Sequence, residues 1–220
     1  MPDLFSLTGP SVKPSTGGAP QQLVILLHGL GADGNDLIGL APQWAKLLPN
    51  AEFLSPHAPF PCDMAPYGRQ WFSLRDWSIE AMLAGTRAAA PILDAFIDAA
   101  LAARGLDDSR LALVGFSQGT MMALHVAPRR ATACGAVLGF SGALVGPESL
   151  AEELRARPPV LLVHGDEDSV VPVEAMPASA QALRAVGLTV ETLLCRGLGH
   201  GIDDEGLRRG GEFLRRGLAG

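Results

Sequence analysis

An apolar run that passes straight into a glycine-framed serine constrains this chain more than any other feature. Arg110 to Phe116 is bounded upstream by Asp107, Asp108 and Ser109, and its Leu111-Ala112-Leu113-Val114 centre suits a buried strand. Gly115-x-Ser117-x-Gly119 follows without a break. Thr120 to Ala127 then carries Met121, Met122, Leu124 and Val126 up to Pro128, which suits a helix with a stop signal. A strand that becomes a helix within so few residues needs a turn tight enough to strain the residue at its apex and to project that side chain above the sheet. Side chains at 115 or 119 would collide where the two elements meet, which is why glycine stands there. With 26 glycines in 220 residues the pentapeptide alone is weak, so the strand and helix around it carry the inference. Ser141 lies in a similar Gly139-Phe140-Ser141-Gly142, but Ala143 replaces the closing glycine, and this segment reads as the end of another core strand.

A chain that is 48% hydrophobic and 18% charged has material for one sizeable core, and the expected organisation is a single domain over residues 1–220. Residues 1–20 read as a lead-in, with a short edge strand near Leu4 to Leu7 and an irregular Gly-, Pro- and Ser-rich stretch over 9–20. The formal net charge of -6 argues against a nucleic-acid partner, which would require clustered cations, and Arg208, Arg209, Arg215 and Arg216 read as a solvated helix face. The amino terminus lacks a basic region followed by an apolar stretch, and no window approaches the length of a membrane span, so a cytoplasmic protein without stable membrane insertion is expected. Cys62, Cys134 and Cys195 are odd in number and lack Cys-x-x-Cys spacing, which favours free thiols over disulfides or metal ligands. Exposed apolar loop residues leave room for a homodimer.

Strand and helix patterns alternate after the lead-in. Strands are expected at Gln22 to His28, Glu52 to Ser55, Arg110 to Phe116, Cys134 to Phe140, Val160 to His164 and Val190 to Leu194. Helices are expected at Asp36 to Leu48, Ile79 to Arg104 with a kink near Pro91, Thr120 to Ala127, Glu148 to Arg155, Val173 to Val186 and Asp204 to Leu218. Alternation on this scale predicts an α/β fold, a mostly parallel central sheet flanked by helices on both faces. Pro56 to Ser78 is the long irregular stretch. Its Trp71 and Phe72 must bury their rings, either over the core or as the wall of a substrate pocket.

A serine at its free pKa is a poor nucleophile, so a working Ser117 needs a histidine to take its proton and a carboxylate to orient that histidine. Parallel sheets place such groups just past the carboxyl ends of strands, and in strand-to-helix elbows of this kind the chain order is serine, acid, histidine. Of five histidines only His200, in Gly197-Leu198-Gly199-His200-Gly201, follows the last expected strand. His125 falls mid-helix, and His28, His57 and His164 stand in the wrong order for a base. Asp166, Glu167 and Asp168 all follow the Val160 to His164 strand, and spacing does not choose among them. An oxyanion hole needs two fixed N–H donors. The backbone of Gln118 is one candidate and that of Leu30, in the small His28-Gly29-Leu30-Gly31 loop, is the other.

That loop supports a competing reading. Gly29-Leu30-Gly31-Ala32-Asp33-Gly34 is a literal Gly-x-Gly-x-x-Gly between a strand and a helix, the dinucleotide fingerprint of an NAD-binding oxidoreductase. The acid expected at the end of the next strand is missing, because Glu52 begins that strand and Ser55-Pro56-His57 ends it. A third class, a noncatalytic interaction protein on a hydrolase scaffold, would be expected to lack one of the three polar residues, and none is lacking.

Taken together, Leu27-His28-Gly29-Leu30-Gly31, Pro56-His57-Ala58-Pro59, Arg69-Gln70-Trp71-Phe72, Gly115-Phe116-Ser117-Gln118-Gly119, His164 to Pro172 and Gly199-His200 make the chain resemble the phospholipase/carboxylesterase family of small serine hydrolases, acyl-protein thioesterases among them. The resemblance runs from about Leu23 to the carboxyl end. It implies an α/β-hydrolase fold with little lid, a Ser117, Asp168, His200 triad and oxyanion donors at Leu30 and Gln118. It also implies cofactor-free hydrolysis of carboxylic esters or thioesters with short to medium acyl chains, with lysophospholipids or acylated proteins as the alternative substrates. Ser73 stands where many members carry Asp, which puts the geometry of that loop in question.

Overall fold

The computed structural model describes residues 7–219. Nine strands are present among them: β1 Ser11–Val12, β2 Gln22–Leu27, β3 Ala51–Leu54, β4 Phe60–Pro61, β5 Arg69–Gln70, β6 Leu111–Phe116, β7 Ala136–Phe140, β8 Val160–Gly165 and β9 Val190–Cys195. The α-helices are α1 Gly34–Leu37, α2 Ala41–Ala45, α3 Ile79–Ala102, α4 Gln118–Val126, α5 Leu150–Glu153, α6 Ala175–Ala185 and α7 Asp204–Gly217. Seven strands form one sheet in the order β1-β3-β2-β6-β7-β8-β9, while β4 and β5 make a separate hairpin. Every pair in the large sheet is parallel except β1 with β3.

Strands buried on both faces read as continuous apolar runs rather than alternating ones. In β2, Leu23, Ile25 and Leu27 point into one core with α3, α4 and α6, whereas Val24 and Leu26 point into the other with α2 and α7. The α7 helix closes the second core by letting Trp44 lie against Gly210 and Gly211, and the indole Nε1 donates to Leu207 O at 2.9 Å. This is an α/β-hydrolase arrangement. No helix among the described residues is long and apolar enough to cross a membrane.

The topology positions the site. After β2 the chain adds β3 on one side, and β6 later pairs on the other, so the loops leaving β2 and β6 diverge and open a crevice at the carboxyl edge. Leu27 pairs with Gly115, which brings Gly29 and Ser117 out of the sheet side by side.

Five expectations need correction or restriction. The edge strand near Leu4 to Leu7 falls, except for Leu7, outside the described residues, and the irregular stretch over 9–20 contains β1. The helix expected over Asp36 to Leu48 is broken into α1, a 3₁₀ turn at Ile38–Leu40 and α2, whose first turn holds Pro42. Proline has no N–H to continue a preceding helix but fits the first turn of a new one. The segment from Glu148 is likewise a 3₁₀ turn at Pro147–Ser149 followed by the four-residue α5. The strand expected from Cys134 begins at Ala136.

Candidate active site

Ser117 has φ 53° and ψ -117°, one of two non-glycine residues with positive φ among those described. A conformation of this kind costs on the order of 1–3 kcal/mol and persists only where the surroundings enforce it. They do so here. A Cβ on Gly119 would overlap the Leu27 carbonyl oxygen, and one on Gly115 would overlap the Thr120 amide and the Gly119 carbonyl. The Ser117 N–H donates to Phe140 O at 2.9 Å, and its carbonyl accepts from Thr120 N at 2.9 Å and Met121 N at 3.2 Å, so strand and helix bonds grip the apex from both sides. A Cβ on Gly29 would approach the Ser117 Cβ to 3.3 Å, so the β2 loop lies directly against the serine.

Of the three acids after β8, one meets the histidine. Asp168 Oδ2 accepts from His200 Nδ1 at 2.8 Å, and Asp168 Oδ1 accepts from the amides of Val170 and Val171, each at 2.9 Å. Asp166 instead ties the loop to β9 by accepting from Gly197 N at 2.7 Å. Burial works to raise the pKa of Asp168, whose side chain is 0% exposed, but the His200 hydrogen bond and the Val171 and Val170 amides outweigh it and hold the carboxyl below its ordinary value. Because the Nδ1 proton of His200 points at a carboxylate, its Nε2 is the nitrogen free to accept one. The His200 ring lies 4.8 Å from the ring of Phe116, the neighbour of Ser117. The hydrogen bonds among the described residues include Asp168–His200 but no bond between Ser117 and His200, as is common before substrate tightens such a contact.

Two residues set aside in the sequence brace the His200 loop. Ser141, read as a strand end, is the second positive-φ residue at 45° and follows β7 as Ser117 follows β6. Its hydroxyl donates to Gly201 O at 3.4 Å. Cys195 donates from Sγ to Asp203 Oδ1 at 3.4 Å, linking the two ends of the loop, and burial pushes its thiol pKa up to about 12. The repeated Gly-Phe-Ser tripeptide, at 115–117 and 139–141, was the available signal for Ser141. Nothing local marked Cys195.

The Pro56 to Ser78 stretch is held from outside as well as within. Gln118 is fully buried, and its amide receives Trp71 N at 2.8 Å and donates to Phe72 O at 2.8 Å. Trp71 Nε1 donates to His28 O at 3.0 Å. Trp71 is 0% exposed and Phe72 3%, with their rings packed in the core, where they hold the β2 loop and α3 in place. His28 is buried too. Its Nδ1 faces Gly29 O at 2.7 Å and its Nε2 accepts from Ala58 N at 3.0 Å, which sets the Nδ1–H tautomer, and burial lowers its pKa. Ser73, the departure noted in the sequence, donates to Asp63 Oδ2 at 2.5 Å, so the carboxylate at this corner comes from Asp63.

The fingerprint-like Gly29 to Gly34 loop is covered. Gly31 N donates to Arg69 O at 2.9 Å and Arg69 N donates to Ala32 O at 2.7 Å, placing β5 where a pyrophosphate would have to lie, and the helix that follows is only four residues long. Leu30 is half-buried at the edge of this cover. An apolar pocket of about 300 Å³ opens beside α4, lined by Ile79, Met82, Met121, Leu144 and Val145 among others. Met121 lies one helical turn beyond Ser117. Ser179 in its wall is satisfied internally, accepting from Leu144 N at 2.8 Å and donating to Ala175 O at 2.6 Å.

Known proteins resemble this chain along most of its length. It is 31% identical over 196 residues to Esterase YpfH of Escherichia coli (strain K12), spanning 89% of this chain and 82% of that protein. It is 27% identical over 216 residues to Acyl-protein thioesterase 1 of Gibberella zeae, spanning 89% and 90%. The crystal structure of esterase PE8 superposes with a TM-score of 0.91 at 42% identity, covering 96% of this chain and 98% of that one. The family model described as phospholipase/carboxylesterase matches residues 10–217, and the chain belongs to that family of carboxylic ester hydrolases.

Proposed function

We propose that the protein hydrolyses carboxylic esters of short to medium acyl chains through a Ser117, His200, Asp168 triad. His200, oriented by Asp168, takes the Ser117 proton as the hydroxyl oxygen attacks the acyl carbon. The oxyanion is held by the amides of Leu30 and Gln118. His200 then protonates the leaving alcohol, and in the second half it activates a water that releases the acid from Ser117. One observation carries this reading above others. Asp168 and His200, on separate loops after β8 and β9, are joined at 2.8 Å, and the histidine ring lies against Phe116 beside the strained serine.

The pocket supports the acyl-chain assignment, since its lining is apolar and it begins one helical turn from the nucleophile. Similarity to acyl-protein thioesterase 1 supports thioesters as a second substrate class. A chain-length series of p-nitrophenyl esters and matched thioesters tests both, with Ser117→Ala as blank. The variant is expected to fold like the parent and to lose activity by about 10⁴-fold or more. Retained turnover would remove Ser117 from the mechanism. A rate still rising at the longest chains would replace the short-to-medium assignment with a lysophospholipase one.

A further inference from the structure

His164 was set aside as a base because it precedes the acid in the chain, and the proposed mechanism gives it no task. It is nonetheless 1% exposed at the end of β8, and its Nε2 lies 3.0 Å from Val171 O and 3.3 Å from Asp168 Oδ2. A carbonyl oxygen only accepts, so Nε2 must carry the proton, and that N–H donates to Val171 O while its positive end stays beside the Asp168 carboxylate. Asp168 therefore accepts from three donors, the Val170 and Val171 amides on Oδ1 and His200 Nδ1 on Oδ2, and the His164 Nε2 lies 3.3 Å from that same Oδ2. The Asp168 side chain is sealed from solvent.

We infer that His164 is a positioning residue for the reaction, which fixes Asp168 so that its Oδ2 meets His200 Nδ1 in one orientation. The two amides both bind Oδ1 and leave rotation of the other oxygen free to first order. His164 approaches that other oxygen from the end of β8 and His200 from the loop after β9, so they define where it stands. The bond from His164 to Val171 O also ties the strand end to the segment whose amides hold Oδ1, closing a ring from β8 to Val171 and back to Asp168. Removing the His164 ring takes away the N–H dipole beside Oδ2, which makes Asp168 a stronger acceptor for the protonated His200, and unties Val171, whose amide holds Oδ1, which lets the carboxylate plane drift. Misplacement on the ångström scale costs up to about 10²-fold in rate.

The inference rests on the triad reading, and the experiment separates the two. Gln reaches about as far as the histidine Nε2, whereas Asn ends near the position of Nδ1. H164Q should therefore keep kcat within about threefold of the parent, and H164N should lose about tenfold in kcat with KM within about twofold. The acid limb of kcat/KM should move to higher pH in H164N only. In a D168N background, H164N should cost nothing further, because the residue it positions is already lost. Equal losses in H164Q and H164N, parent kcat in H164N below its unfolding temperature, or an undiminished loss in the D168N background would each overturn the positioning role. Parent activity in D168N alone would instead overturn the triad.

Discussion

The serine elbow over residues 111–119 and the Pro56 to Ser78 loop both border the crevice, yet they are held by different physics. The elbow is specified by backbone sterics: no side chain fits at Gly115 or Gly119, and the amides around Ser117 bond to their immediate structural neighbours. The loop is specified by side-chain bonds, some within it, as Arg69 to Ala58 O and Pro59 O and Ser73 to Asp63, and some reaching other segments, Gln118 from α4 and Trp71 to His28 O. Local geometry makes the first robust and unforgiving. Polar side-chain anchors, several of them distant in sequence, hold the second.

The largest effect should follow from crowding the elbow. Gly119→Ala drives a Cβ into the Leu27 carbonyl and is expected to cost about 4 kcal/mol or more, with activity lost alongside. Urea unfolding measures it, and a variant within 1 kcal/mol of the parent would contradict the steric account. Gln118→Leu attacks the loop instead. It keeps the residue 118 N–H but strands the Trp71 N–H and the Phe72 carbonyl, a loss of about 3 kcal/mol. Hydrogen exchange should show the Trp71 amide losing protection while the β6 amides keep theirs; uniform loosening would mean that the two regions are not distinct.

Acid should divide them in the opposite sense. His125 lies buried on α4, and burial, aided by the nearby Arg129 charge and opposed by Glu153, lowers its pKa from 6.5 to about 4. Between those values the unfolded chain binds a proton that the folded chain refuses, so stability is full above pH 6.5 and falls as the pH drops toward 4. A loss on the order of 2 kcal/mol over this window is expected from His125. Glu52 adds to the loss at lower pH still. Its hydrogen bond to Arg104 outweighs burial and, with Lys13, holds its pKa below 4.5, so its contribution is present above that value and disappears on acidification. His125→Gln should flatten the upper part of the profile, and an unchanged slope in urea midpoints between pH 6.5 and 4 would refute the assignment. The smallest effect should come from Ser73→Ala. Asp63 keeps its backbone bonds to Gln70 Oε1 at 3.2 Å and to Arg75 Nη2 at 2.9 Å, so the melting temperature should stay within about 2 °C of the parent. A larger drop would show that this hydroxyl, rather than the bonds around it, anchors the loop.

Much of the molecule was legible before any coordinate. The apolar strands, the helices after them and the order of Ser117, acid and His200 follow from patterns with short range in the chain, and the structure shows those elements within a residue or two over most of the sheet. The broken helix at 36–48 was misread because hydrophobic periodicity runs on through Gly39 and Pro42, where hydrogen bonding does not. Trp71 and Phe72 keep two readings in the sequence for a different reason. An aromatic ring in a loop reads alike whether it faces ligand or core, and only the Gln118 clamp across 47 residues settles that Trp71 faces inward.

The sequence by itself determined that a strained serine would stand at the carboxyl edge of a parallel sheet, because glycine spacing and strand hydrophobicity act through contacts a few residues apart. It left three acids after β8 open, and it passed over His164 and Ser141. Those were decided only when β8 and β9 lay side by side and brought Asp168, rather than Asp166, to His200, with His164 behind the same carboxylate. Burial, hydrogen-bond direction and the choice among neighbouring carboxylates depend on which loops meet in space, and chain order carries no record of that meeting.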